Sequence, residues 1–156
     1  MQTAAVARPY PQMPPLTDDE CVSLLETIPV ARLATHNPDG SIHVVPVVFE
    51  YVDGAILIGT QEITRKVGNI RRDPRVTVLV DDPAMPPKGV MIYGTASLDT
   101  EDLVPERIEI LARSMPREQA EGMVAVLAAR YEPAVIRITP TKMVSWDYAK
   151  PSPVLG

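Results

Sequence analysis

The segment Val30–Thr60, VARLATHNPDGSIHVVPVVFEYVDGAILIGT, contains three runs that are rich in β-branched and aromatic residues. The turn signals HNPDG and VDG separate these runs, and short connections that contain Asp and Gly are typical of β-hairpins. We therefore predict an antiparallel meander of three strands over Val30–Thr60. Pro46 lies inside the second strand and cannot donate a ladder hydrogen bond, which predicts an edge, a bulge or a close ligand there.

A helix is predicted immediately before this meander, over TDDECVSLLETIP. Thr17 and Glu20 have the spacing of a capping box, and Pro29 marks the end of the helix. The apolar residues that recur on one helical face are Cys21, Leu24, Leu25 and Ile28. We expect Cys21 to be an ordinary buried residue of that face.

The segments that follow the meander alternate between helical and strand patterns. EITRKVGNIRR predicts a short helix, with Ile63, Val67 and Ile70 at helical spacing and Asp73-Pro74 as its stop. RVTVLVDD and VMIYGTASL read as strands, TEDLVPERIEILARSMP and REQAEGMVAVLAARY as helices, and PAVIRITP and KMVSWDY as two closing strands. The order α-βββ-α-ββ-αα-ββ predicts an α+β fold, a mainly antiparallel sheet curled into a barrel with short helices packed outside.

Length and composition narrow the class of protein. A chain of 156 residues with 46% hydrophobic content is expected to form one globular domain, over residues 17–150. Residues 1–16 hold four prolines and are expected to form an extended arm, and residues 151–156 a tail. The net charge of −5 disfavours binding to nucleic acid or to anionic membranes. With one cysteine and no membrane-spanning apolar segment, we expect a cytoplasmic protein without a disulfide.

Positive charge is concentrated in one segment of this acidic chain. Five of its 15 basic residues lie within eleven positions: Arg65, Lys66, Arg71, Arg72 and Arg75. Arg71 and Arg72 fall near the end of the short helix, where cations suit the helix dipole, whereas Arg65 and Lys66 fall in its first turn, where they oppose it unless an anion joins them. With hydroxyls from Thr60 and Thr64 nearby, the segment fits a phosphate monoester. A solvated helix face is the alternative.

The spacing of several short motifs resembles that of the flavin-binding split-barrel superfamily. These motifs are VVPVVF, the GT that ends the next strand, TRK, DPRV and YGTASL. The resemblance runs from Val30 to Leu98 and resumes at RITPTKMVSWDY. The superfamily includes pyridoxamine 5′-phosphate oxidase and oxidoreductases that use the deazaflavin coenzyme F-420.

The resemblance implies a homodimer of split barrels with two cofactors in clefts between the subunits. It places a strand beside the cofactor ring: Val44, Val45, Pro46, Val47, Val48 and Phe49. It places Gly59 and Thr60 near the ribityl chain and phosphate, and Thr64, Arg65 and Lys66 on the phosphate itself. Lys88 is expected to reach a ring in the partner subunit and Trp146 to pack near the cofactor. Ordinary roles remain open for Lys88, in a surface loop, and for Trp146, in a core or interface.

Departures from the oxidase pattern indicate which activity to expect. Val44 stands where the oxidase has a phosphate-binding arginine, and its C-terminal segment for pyridoxal phosphate is absent from SWDYAKPSPVLG. We therefore expect an activity other than vitamin B6 oxidation. LVDDPAMPP and VSWD resemble the deazaflavin-dependent branch, so the expected function is hydride transfer between F-420 and a small organic substrate.

Three alternatives remain: an FMN-dependent oxidoreductase, a non-catalytic carrier of a flavin-type ligand, and a dimeric barrel that serves only as an interaction module. No side chain is singled out as a catalytic acid or base. No metal site is expected either, because His36 and His43 have no further ligand at suitable spacing.

Overall fold

Seven strands and four helices make up the part of the chain that this computed structural model describes, residues 13–101 and 103–152. In chain order they are α1 (Asp18–Thr27), β1 (Val30–His36), β2 (Ile42–Val48), β3 (Glu50–Val52), β4 (Ala55–Gln61), α2 (Arg65–Arg72), β5 (Arg75–Asp82), β6 (Lys88–Asp99), α3 (Val104–Ala112), α4 (Arg117–Ala128) and β7 (Pro133–Asp147). None of these helices is long and apolar enough to cross a membrane.

The seven strands form one antiparallel sheet in the order β2-β1-β5-β6-β7-β4-β3. The two edge strands, β2 and β3, are consecutive in the chain and are joined at Phe49. The curled sheet is therefore closed by this covalent connection, which makes the fold an α+β split barrel as predicted. The barrel interior is filled by fully buried side chains from most of the strands, among them Leu33, Phe49, Val78, Ile92 and Ile136.

The predicted three-strand meander is only partly right. The hairpins β1–β2 and β3–β4 are both present, and Asp53 and Gly54 in the second turn have positive φ, as a type I′ turn requires. However, SIHVVPVVFEY is two strands at opposite edges of the sheet rather than one. The reason is that β1 begins at Val30, opposite Val48. The Phe49 N–H still donates to the Pro29 carbonyl (3.2 Å), and from Glu50 onward the chain pairs with β4 instead.

Pro46 lies on the edge strand β2, opposite Arg32, which confirms the prediction for this residue. The two closing strands that the sequence predicted form the single strand β7, which pairs with β6 on one side and β4 on the other. Pro140 does not end this strand, because the register shifts beside Tyr93 and Gly94 and the Thr141 hydroxyl donates to the Tyr93 carbonyl (3.1 Å).

The helices close the ends and one side of the barrel. The capping box of α1 is confirmed, since Glu20 N donates to Thr17 Oγ1 (3.2 Å) and Thr17 N to Glu20 Oε1 (3.0 Å). Leu24 and Leu25 are buried in the barrel core, whereas Cys21 is only half-buried against it. Helix α3 packs outside β4, over a smaller core of Leu57, Leu103, Ile110 and Val135, and α4 packs against α3.

The predicted start of α2 needs correction, and two predicted terminal segments lie mostly outside the described residues. Ile63 is 79% exposed and precedes α2, because Thr64 is still extended (φ −71°, ψ 151°) and the helix begins at Arg65. Most of the expected arm, residues 1–12, and most of the expected tail, residues 153–156, lie outside the described residues. Pro14 and Leu16 bond to β7: Leu16 N donates to Ser145 Oγ (3.0 Å) and Asp147 N to the Pro14 carbonyl (2.8 Å).

Candidate functional site

The junction between β4 and α2 is a tight turn with an open helix start. Thr64 N and Thr64 Oγ1 both donate to the Gln61 carbonyl, at 3.1 and 2.9 Å, and the Thr60 hydroxyl lies 3.2 Å from that of Thr64. Thr64 occupies the N-cap position but its side chain does not cap the helix. The first N–H groups of α2 are therefore free to bind an anion, which the helix dipole also favours.

Arg65 and Lys66 lie at this open helix start, and neither forms a salt bridge within the described residues. Arg65 is exposed and borders a hollow of about 270 Å³ with Asn37, Pro38 and Asp39. Lys66 is half-buried, and loss of water lowers the pKa of its ammonium because no carboxylate offsets it. Hydrogen bonds from Ser41 hold the pKa of Asp39 below its usual value, with a smaller contribution from Arg65.

The other three cations of the basic segment have protein partners. These contacts are Arg71 Nη2 to Glu62 Oε1 (2.8 Å), Arg75 Nη2 to Asp73 Oδ2 (2.7 Å) and Arg72 to the His36 carbonyl. Arg71 and Arg72 also lie in the last turn of α2, where the dipole favours them. Arg71, Arg72 and Arg75 therefore contact other residues of the chain, whereas Arg65 and Lys66, at the helix start, are available to a ligand.

Asn69 fixes α2 to the end of the barrel, and the sequence did not reveal it. It is 2% exposed, and its Nδ2 donates to Thr35 Oγ1 and to Asn37 Oδ1, both at 3.0 Å. A single Asn between Val67 and Ile70 carries no sequence signal that it is buried. Through Asn69, the start of α2 is held in a set position relative to β1 and the β1–β2 turn.

The strand predicted to flank the cofactor ring has two different faces. Val45, Val47 and Phe49 point into the barrel core, so only their backbone is available to a ligand. Val44, Pro46 and Val48 point outward, and Val44 is 58% exposed. Because β2 is an edge strand, every second pair of its backbone N–H and C=O groups faces away from β1, and these groups could meet the polar edge of a planar ring.

Lys88 and Trp146 lie at the other end of the barrel. Lys88 is opposite Asp147 in the β6–β7 ladder and Trp146 is opposite Gly89. The Trp146 ring covers Gly89, where an added Cβ would come 2.6 Å from Trp146 Cζ2. Trp146 also borders a hollow of about 440 Å³, together with Met13, Pro15 and Tyr148.

One copy of the chain therefore groups only part of the predicted site. Gly59, Thr60, Thr64, Arg65 and Lys66 come together at the β4–α2 junction. Strand β5 runs from that end, where Arg75 faces Thr95, to the far end, where Asp82 faces Lys88. Its eight residues span roughly 25 Å, so Lys88 and Trp146 cannot contact a ligand ring held near α2 of the same copy.

The described residues hold two buried polar atoms without a hydrogen-bond partner and no cluster of possible metal ligands. Among residues 13–101 and 103–152, no three His, Cys, Asp or Glu side chains are grouped so that they could hold a metal ion. His43 Nδ1 is buried and has no hydrogen-bond partner there. Arg107, which the sequence did not single out, is also buried without a partner, above Gly59.

Comparison with known proteins gives a family and several similar folds. Residues 17–147 match the family model described as pyridoxamine 5′-phosphate oxidase. The conserved hypothetical protein Rv2991 from Mycobacterium tuberculosis is 25% identical with a TM-score of 0.73, over 88% of this chain and 90% of that one. The FAD-binding protein mll6688 from Mesorhizobium loti is 25% identical with a TM-score of 0.59, over 83% and 92%.

An F420 reductase shares the fold, with 21% identity and a TM-score of 0.62 over 78% of this chain and 94% of that one. No curated protein matches the chain.

Proposed function

Because the chain belongs to the pyridoxamine 5′-phosphate oxidase family, we propose that it is an oxidoreductase whose cofactor is a phosphate-bearing flavin-type coenzyme, F-420 in preference to FMN. The observation that carries the proposal is the β4–α2 junction. There, two cations that form no salt bridge with the described part of the chain lie at an uncapped helix start beside two threonine hydroxyls. A phosphate monoester needs this kind of convergent, charge-assisted donor set.

The preference for F-420 is supported by the motifs LVDDPAMPP and VSWD and by the fold shared with an F420 reductase. The FAD-binding relative supports a flavin-type ligand more generally. When bound, the coenzyme would supply the hydride chemistry. The residues of this chain would bind the phosphate, present the free backbone edge of β2 to the ring and keep water from it. The substrate is a small organic molecule of undetermined class.

We further propose that the cofactor cleft lies between two copies of the chain. Residues opposite one another in a ladder share a face of the sheet. The outward row Val44–Ala34–Thr77–Tyr93 therefore crosses four neighbouring strands, and its ends are exposed apolar side chains (Val44 58%, Tyr93 39%). A second copy covering this face around a twofold axis can bring its Lys88 and Trp146 to the α2 end of the first.

A coenzyme titration tests the proposal. Replacing Arg65 and Lys66 together by alanine is expected to raise the Kd for the preferred coenzyme by about 100- to 10,000-fold, since each charge-assisted hydrogen bond contributes roughly 1.5–3 kcal/mol. The matched control is the double replacement of Arg71 and Arg75, which removes the same charge from exposed ion pairs of the same segment. Quenching of fluorescence with F-420 and with FMN measures both affinities.

Equal Kd values for the two double variants would contradict the phosphate assignment, and tight FMN with no F-420 binding would reverse the coenzyme preference. Turnover needs a separate assay. Reduced coenzyme bound to the protein is expected to be oxidised when quinones or other conjugated acceptors are added. If it binds but stays reduced with a broad panel, the chain is a carrier rather than an enzyme.

A further inference from the structure

Arg107, in the middle of α3, is a buried cation without a partner among the residues that the structure describes. Its residue is only 3% exposed, and it makes no hydrogen bond or salt bridge with any of the described residues. Its Nη1 is wholly buried. Burial lowers the pKa of the guanidinium and no carboxylate opposes this effect. Charged groups are very rarely buried in this way, because removal from water is costly unless an ion partner compensates for it.

The stem of Arg107 packs against Gly59 on β4. A Cβ built on Gly59 would lie in ordinary van der Waals contact with this stem, 3.5 Å from Arg107 Cγ and 3.9 Å from Arg107 Cβ. Ile110, one turn later on α3, packs beside the same glycine (3.9 Å). The stem of Arg107 is therefore held between α3 and the end of β4, one residue before Thr60.

The acidic residues of α3 are already paired with other arginines. Glu106 lies 3.9 Å from Arg137, and Glu109 lies 2.6 Å from Arg117. Arg113, the C-cap residue of α3, contrasts with Arg107. Its guanidinium donates to the carbonyls of Leu25 (3.1 Å), Glu26 (2.8 Å), Ile28 (3.2 Å) and Phe49. The fold thus satisfies one half-buried arginine of α3 with four carbonyl groups and leaves the more deeply buried one with none.

We propose that Arg107 is an anion-binding residue, and that a carboxylate or small oxyanion of a ligand pairs with its guanidinium between α3 and the end of β4. A planar guanidinium favours these groups because two parallel N–H donors match two oxygens. The site uses a different helix and a different cation from the proposed coenzyme phosphate site. The two sites adjoin at Gly59, but Arg107 does not depend on Arg65 or Lys66, so its anion binding can be measured after both are replaced.

The test is thermal unfolding of the Arg65→Ala/Lys66→Ala protein, in which the other predicted anion site is removed. Inorganic phosphate, sulfate and succinate are titrated separately against sodium chloride at equal ionic strength. At a concentration one hundred times its Kd, the anion that binds is expected to raise the unfolding midpoint by about 5–10 °C. Adding Arg107→Met should abolish this rise. Adding Arg130→Met, at an exposed arginine outside any salt bridge among the described residues, should leave it unchanged.

A direct measurement keeps the proposal falsifiable if Arg107→Met does not fold. In the Arg65→Ala/Lys66→Ala protein, the Nε–Hε resonance of Arg107 in an ¹⁵N-correlated spectrum should shift saturably with the same anion. The proposal is overturned if the midpoint rises equally with and without Arg107. It is also overturned if none of the three anions moves either the midpoint or that resonance.

Discussion

Glu20 is a residue whose ionisation connects two distant parts of the chain. Its Oε1 lies 2.6 Å from Lys150 Nζ, and it also accepts from Thr17 N. The Lys150 hydrogen bond, followed by those from Thr17, lowers the pKa of Glu20 from 4.5 to about 2. Because the folded-state pKa is the lower one, the carboxylate stabilises the fold above pH 4.5, and this contribution is lost as the pH falls from 4.5 to 2.

The prediction is that Glu20→Gln lowers the unfolding midpoint at pH 7 and that its difference from the wild type disappears between pH 4.5 and pH 2. Thermal unfolding followed by circular dichroism across that range measures the difference. Glu118→Gln, in the first turn of α4, is the control because Glu118 is exposed and no salt bridge in the described structure includes it. A difference for Glu20→Gln that stays constant down to pH 2 would refute the linkage.

Single residues also show where sequence reasoning succeeds. The capping box of Thr17 and Glu20 was predictable because both partners lie within one turn. The predicted positions of Arg65 and Lys66 in the first turn of α2, and of Arg71 and Arg72 near its end, are also confirmed. The pairing of Glu20 with Lys150 was not predictable, because 130 residues separate them and only the packing of the two chain ends brings them together. For the same reason, the sequence did not indicate that Asn69 and Arg107 are buried, because their burial depends on elements far away in sequence.

At the scale of elements, the close contact between Gly89 on β6 and Trp146 on β7 leads to a specific prediction. Gly89→Ala is expected to destabilise the fold by about 1–3 kcal/mol, because its Cβ would come 2.6 Å from Trp146 Cζ2 and 3.1 Å from Asp81 Cβ. Urea unfolding measures the stability. Since Trp146 is the one tryptophan of the sequence, a red shift of its emission reports directly on the displaced ring.

Gly122→Ala is the matched control, because nothing lies within 4 Å of a Cβ on Gly122 in α4. That substitution is expected to stabilise the protein by up to about 1 kcal/mol through helix propensity. If Gly89→Ala were as stable as the wild type with unchanged emission, the close packing of Trp146 on β6 would be wrong.

The boundaries of elements were predicted correctly where the local sequence pattern determines them. RVTVLVDD is β5 over the predicted residues, and the helices fall within their predicted segments. The misjudged strands are those whose ends depend on a partner. SIHVVPVVFEY divides because β1 begins at Val30 and the chain pairs with β4 from Glu50 onward. The last two predicted strands merge because β6 continues alongside Pro140. Alternation of apolar residues predicts which face of a strand is buried, but it does not predict which strand pairs with it.

For the whole molecule, the largest unexplained feature is an outer sheet face that helices α3 and α4 do not cover. Helix α3 packs on β4 and α4 packs on α3, whereas Ile42 (54%) and Val44 (58%) on β2 remain exposed. Within one copy, Arg65 and Lys66 are also separated from Lys88 and Trp146 by about the length of β5. A twofold dimer through the outer face of β2 would account for both facts, because it would cover that face and bring Lys88 and Trp146 of the second copy to the site of the first.

Val44→Asp tests this assembly. Light scattering at micromolar concentration is expected to show a dimer for the wild type and a monomer for Val44→Asp, since a carboxylate buried in an apolar contact lacks an ion partner. Val126→Asp is the control, because Val126 is equally exposed (57%) but lies on α4, away from that face. The monomeric variant should also bind the coenzyme more weakly, because Lys88 and Trp146 of the second copy are lost from the cleft. A wild-type monomer, or dimers for both variants, would exclude the β2 face as the subunit contact, and the coenzyme would then have to bind within one copy.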